Sequence, residues 1–224
     1  ISDLENVKIE KVIIGGELVA EKGKMLKEDT TVTYPDWSKN TVKLGKTLTP
    51  DDFKVKAEGD TATVRVMEIE EAKVGTKSTT ETLGIVNGNI PADIKKDIAK
   101  VALFERHKET GTRGLGFTKG FGLKGGAAAS TVAHDSHNLL VVGMDEEDMA
   151  FAANRLAEAG GGMIVVKNKK VLALLPLPVA GLLTDRPVGE VHALVEKLDE
   201  AWKELGCVLV SPFMTMALLG LPVL

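Results

Sequence analysis

The chain has 224 residues, 44% hydrophobic and 27% charged, with a formal net charge of −4. That length buries a real core, and the mild acidity argues against a general nucleic-acid binder, which carries a basic balance or stripe. A single cysteine, Cys207, excludes an intramolecular disulfide framework and a cysteine-rich zinc site; it fits a reducing compartment, and a cytoplasmic location is expected.

Along the chain, alternation over Val7–Ile14, a Gly15-Gly16 turn and a return over Glu17–Ala20 predict a hairpin. Residues 21–50 are polar with β character and no helical period. Two strands are expected at Phe53–Ala57 and Thr61–Ile69, then a Ser/Thr-rich loop over Gly75–Thr82. Pro91 suits a first helical turn or a loop in 90–98. Ala99–Glu105 reads as a strand ending in Glu105-Arg106-His107-Lys108.

Seven glycines then fall within 111–129, which permits positive φ and close backbone approach. The 120–126 run, GFGLKGG, has neither Walker spacing nor the strand–turn–helix setting of a dinucleotide fingerprint; a loop packed against the following His cluster is expected. Leu139–Val142 reads as a buried strand. Asp145–Ala159 reads as a helix with Asp145 as N-cap. Met163–Lys167 and Val171–Leu175 predict a hairpin about Asn168-Lys169. Val191, Leu194, Val195, Leu198, Trp202 and Leu205 keep helical spacing across Val188–Leu205, with Gly206 after it. The tail 207–224 is apolar, no apolar run reaches a membrane span, and both ends read as cut from a longer polypeptide. The expected fold class is α+β: a β-rich segment over 1–70, then an α+β domain over 71–224 with one sheet and two main helices.

The chemistry-bearing stretch is HDSHN, residues 134–138, which holds half of the four histidines. His134 and His137 share a face on a helix, converge in a tight turn, and diverge on a strand. Metal ligation, acid–base work and hydrogen bonding to a polar ligand all remain open, as does a self-satisfied turn that launches the strand. The Glu105–Lys108 cluster reads most simply as a solvated strand end. His192 is expected exposed, and Cys207 buried. The run LPLPVAGL at 175–182 is either a rigid pocket wall or a core turn.

In order, ERHK at 105–108, GFTKGFGLKGGAAAS at 116–130, HDSHN at 134–138, LPLPVAGL at 175–182 and SPFM at 211–214 resemble the C-terminal region of the adenine deaminases of the amidohydrolase superfamily. VIIGGELVAEKGK at 12–24 looks like the strand pair that follows their catalytic barrel, a remnant of the β-sandwich. The resemblance implies hydrolysis of adenine to hypoxanthine and ammonia, with manganese or iron in a two-metal barrel centre that lowers the pKa of the attacking water. This chain has no His-x-His pair and no β/α alternation long enough for a barrel. The barrel is therefore expected upstream, and the fragment alone is expected to be inactive.

On that resemblance, His134, Asp135 and His137 are the candidate catalytic residues, with Asp135 orienting a histidine. Ser136, Asn138, Glu105, Arg106 and His107 are the candidate substrate-binding residues, and no metal ligand is assigned. Adenine, an upstream barrel and a homo-oligomer are the expected partners, with no nucleic acid or membrane. A structural or oligomerisation domain with a non-catalytic His cluster is the competing reading, and an independent metal- or ligand-binding module is a third. Convergence of His134, Asp135 and His137 on an open cleft favours the first; a buried, mutually bonded cluster favours the second.

Overall fold

The structure, a computed structural model, describes residues 1–27, 32–70 and 73–221. The chain divides into two compact units, Ile1–Thr33 and Tyr34–Leu224. In the first, β1 (Lys11–Ile14) and β2 (Glu17–Glu21) form the expected antiparallel hairpin, and β3 (Lys24–Met25) adds a third strand. Gly15 and Gly16 turn it at φ 59° and 83°, the left-handed region a tight hairpin requires. The strand starts at Lys11, not Val7, because residues 4–7 form a turn whose Asn6 N–H and side-chain amide both donate to the Asp3 carboxylate.

In the second unit the expected strand at Phe53–Ala57 is absent. Pro50–Phe53 is instead a 3-10 turn, begun by a capping box between Thr49 and Asp52. Phe53 buries its ring against Phe104 at 5.0 Å. β4 (Thr61–Ile69) forms as expected, and the predicted loop at 75–82 is a strand, β5 (Thr76–Gly84), in register with β4 at nine pairs. Its Thr residues suit an edge strand with a wet face, so polarity here misleads. The boundary expected at 70/71 therefore falls between two paired strands, and the compact units divide at Thr33/Tyr34.

Six more strands follow: β6 (Ile98–Phe104), β7 (Arg113–Lys119), β8 (Ala127–Ser130), β9 (Leu139–Gly143), β10 (Gly162–Lys167) and β11 (Lys170–Pro176). They extend one eight-stranded sheet in the order β11-β10-β8-β9-β6-β7-β4-β5, antiparallel except for β4 beside β7. The β10–β11 turn uses Asn168 and Lys169 at φ 52° and 56°. Asp148 pins it by accepting both their N–H groups.

Among the described residues three α-helices cover this sheet: α1 (Glu146–Glu158), α2 (Val188–Glu204) and α3 (Pro212–Leu218). Asp145 caps α1 by accepting the Asp148 N–H at 2.8 Å. α1 packs on one face, against Ala127, Ala129, Val141 and Ile164. α2 and α3 pack on the other, against Ala128, Leu140, Val142 and Val165. The alternation of one strand set between two cores makes a three-layer α/β/α arrangement, consistent with the α+β expectation. α3 is a third helix inside the tail read only as apolar, and residues 222–224 of that tail lie outside the described residues. No helix among the described residues is long and apolar enough to cross a membrane.

Candidate functional site

β6 and β9 are antiparallel neighbours, with Phe104 opposite Leu139. The segment leaving β6, Glu105-Arg106-His107, and the segment entering β9, residues 134–138, therefore meet at one end of the sheet. Arg106 is only 1% exposed, so the solvated strand end expected for 105–108 does not hold at this residue. Its guanidinium donates to the carbonyls of His137 (2.5 Å), Ala180 (3.0 Å) and Thr41 (3.2 Å), and to the Thr41 hydroxyl (3.2 Å). No carboxylate among the described residues pairs with it. Burial, only partly offset by Glu105, holds its pKa below the ordinary value. Gly181 lets the chain pass flat against the guanidinium: at φ 72°, a Cβ there would lie 2.9 Å from Nη1.

The flanking residues point elsewhere. His107 places Nε2 2.9 Å from the Ser136 carbonyl, which requires the Nε2–H form. The Glu105 carboxylate accepts from the backbone N–H groups of His107, Lys108 and Thr110 and from the Thr110 hydroxyl. Against a desolvation that raises it, these donors bring its pKa down to about 2.

The 134–138 turn is held entirely through its main chain and Asn138. His134 N–H donates to the Ala217 carbonyl on α3 (3.1 Å), and His137 N–H to the Ala133 carbonyl (2.7 Å). Asn138 Oδ1 accepts the Arg106 N–H at 3.4 Å. His137 takes the left-handed conformation, φ 49°. The side chains are another matter. Asp135 and Ser136 are exposed and His134 half-buried, and none of the three side chains has a hydrogen-bond partner among the described residues. Asp135 bonds neither histidine. The His134 and His137 rings meet edge to face at 5.7 Å. His137 Nδ1 is buried and unpartnered. Desolvation, then the neighbouring His134 and Arg106, lower the His137 pKa.

The cluster is not buried and mutually bonded, as the structural alternative required: Asp135 and Ser136 are exposed, His134 and His137 are half-buried, and the two rings meet without Asp135 between them. Four of the segments that carry the sequence resemblance converge here. They are 105–108, 134–138, the 175–182 run through Ala180 and Gly181, and the helix that opens at Ser211-Pro212 through Ala217. The glycine-rich 120–126 loop does not join them; it docks on the end of α2, where Lys124 N–H donates to the Leu205 carbonyl (2.8 Å) and Val208 N–H to the Phe121 carbonyl (3.1 Å).

A family model described as the adenine deaminase C-terminal domain matches residues 73–224, a span that contains 105–108, 134–138, Ala180, Gly181 and Ala217 but not Thr41. The chain belongs to that family. Adenine deaminase of Moorella thermoacetica is 54% identical over the whole chain. That of Clostridium botulinum (strain ATCC 19397 / Type A) is 51% identical over 99% of it, and that of Roseobacter denitrificans 44% identical over all of it. The chain spans about 38% of the first relative's length and 37% of the other two.

Within this adenine deaminase C-terminal domain, no group of three or more His, Cys, Asp or Glu side chains could hold a metal among the described residues. The partners that build the site, Thr41, Ala180, Gly181 and Ala217, carry little sequence signature of the role, since all four act through backbone atoms or the lack of a side chain, Thr41 adding its hydroxyl. The only available signal was the glycine in the 175–182 run.

Proposed function

We propose that the chain is the C-terminal part of an adenine deaminase, and that it presents the 134–138 turn to a purine site carried by a barrel elsewhere in the longer enzyme. One observation carries the reading. The turn's main chain is fixed from beneath by Arg106, His107 and Ala217, while the side chains of His134, Asp135 and Ser136 have no hydrogen-bond partner among the described residues. A turn that merely launched a strand would use such groups on itself.

On this reading the reaction is hydrolysis of adenine to hypoxanthine and ammonia, with manganese or iron in the barrel to make the attacking water acidic. His134 and His137 exchange protons with the reacting purine or the departing ammonia. Asp135 and Ser136 contact the ligand rim. Asn138 and Arg106 position the turn, because the Asn138 Oδ1 and the Arg106 guanidinium are already engaged within it, and Glu105 stiffens the chain that brings in His107. The isolated chain is inert on this reading.

The test uses the barrel-containing enzyme, assayed by ammonia release, with His134→Ala and His137→Ala. His134→Ala decides, since its side chain makes no hydrogen bond among the described residues and touches the cluster only through the His137 ring. The expected result is a fall in kcat of at least about tenfold with an unchanged melting temperature. Unchanged kcat in both variants would sink the reading and leave a structural cluster.

A further inference from the structure

The sheet carries a split that the 134–138 turn does not use. β4 and β7 run parallel but pair only at Val66–Phe117, Met67–Thr118 and Glu68–Lys119. The next positions in that register are Arg65 with Gly116 and Val64 with Leu115. These do not pair; all four residues line a cleft of about 490 Å³ between the strands. That volume is within the range of small-ligand sites, roughly 300–1,000 Å³.

The backbone of the cleft is unspent. β7 is bonded to β6 along its whole length and β4 to β5 along its own. In an antiparallel ladder every second residue turns its N–H and C=O away from its partner. At Thr61–Arg65 and Arg113–Gly116 those outward groups therefore face the gap, with no strand opposite among the described residues. The walls are apolar: Val55, Val64 and Leu115 on the α1 face, with the Phe117 ring behind them. Arg65, Thr76 and Ser78 edge the opening on the other face. There the cleft runs into a shallow hollow floored by Val101 and Leu103.

Apolar walls around alternating strand donors and acceptors select one kind of ligand. We infer that this cleft binds a flat, uncharged heterocycle with a hydrogen-bond donor and an acceptor adjacent on one edge, as in a lactam or an aminopurine. Its edge replaces the missing strand partner, and one of its faces lies against Val64 and Leu115. An aliphatic ligand would leave the strand groups unpaired, and a charged one would be stripped of water by the walls.

The chain as it stands provides the test, because it carries no barrel to compete. Adenine is titrated into it, with indole as a control of similar size that has a single ring donor and no acceptor edge. Backbone amide shifts are followed by nuclear magnetic resonance. The expected result is saturable shifts centred on residues 63–65 and 114–116 with adenine, and about tenfold weaker binding of indole. Ser78→Trp at the exposed rim and Val64→Phe in the wall should each weaken adenine by at least about tenfold, with the amide spectrum otherwise retained. No shift up to the solubility limit, shifts centred on 134–138 instead, or indole equal to adenine would overturn the assignment. The wild-type titration alone decides if either variant fails to fold.

Discussion

Replacing Arg106 by Met should loosen the 134–138 turn before anything else in the domain. The guanidinium makes four contacts, to three carbonyls and one hydroxyl, and is 1% exposed. Methionine fills much of the space and donates nothing, so the carbonyls of Thr41, His137 and Ala180 lose their charged donor. Each buried acceptor left bare costs about 1–3 kcal/mol. Relief from burying an unpaired cation offsets part of that sum, which leaves a net loss of about 3–4 kcal/mol. Arg106→Lys keeps the charge but not the fork, and should lose about 2 kcal/mol. Urea unfolding measures the totals. Amide exchange at His137 and Asn138 measures the local effect, which should exceed that in β9. An Arg106→Met variant within about 0.5 kcal/mol of the parent would refute the reasoning, as would an equal loss of protection throughout the sheet.

Lys100 poses a second buried cation, this one paired. Its ammonium donates to Glu146 Oε1 (2.5 Å), the Phe53 carbonyl (3.0 Å) and Asn89 Oδ1 (3.1 Å). Lys100→Met should cost about 3–5 kcal/mol, and adding Glu146→Gln should recover part of it by removing the stranded charge; a double variant no better than the single contradicts this in a urea series. Stability should also follow pH through His137 and Glu105. His137 has its folded pKa below the ordinary 6.5, chiefly by desolvation, so the unfolded chain takes the proton first. Stability is then full above that value and falls as the pH drops through the window beneath it. His137→Gln should flatten this limb, and an unchanged slope would count against it. Glu105, with a folded pKa of about 2 against an ordinary 4.5, contributes above 4.5 and loses that contribution as the pH falls toward 2. Glu105→Gln should remove that acid limb.

Periodicity made much of this fold legible. The α1 and α2 patterns, the alternation in β4 and the hairpin about Asn168-Lys169 all read directly from residue spacing. Where it failed, composition stood in for geometry. β5 is polar because it is an edge strand, and Phe53 closes a capped turn whose ring serves the core. The seven-residue α3 is too short to show a period within an apolar tail. The site was half legible. Both of its segments were marked by residue type, but Arg106 read as surface because its acceptors lie far along the chain, 65 residues away at Thr41 and 74 at Ala180. No local pattern encodes carbonyl groups that only the folded sheet brings together.

The choice of carbonyls as acceptors has an electrostatic consequence for the turn. A carboxylate would have held Arg106 equally well and cancelled its charge. Neutral carbonyls fix the guanidinium and leave the charge standing. That charge acts on His137, whose carbonyl Arg106 holds, and it joins desolvation and His134 in favouring the neutral ring. One buried cation thus fixes the position of the turn and adds to the desolvation and the His134 neighbour that keep its inner histidine neutral. The Arg106→Met variant separates the two effects from simple loss of stability. In molecules that remain folded, the His137 pKa should move up toward 6.5, followed through its ring carbon-bound protons. A His137 titration unmoved by the substitution would mean that desolvation and His134 keep the ring neutral unaided, and that Arg106 is a scaffold without electrostatic reach.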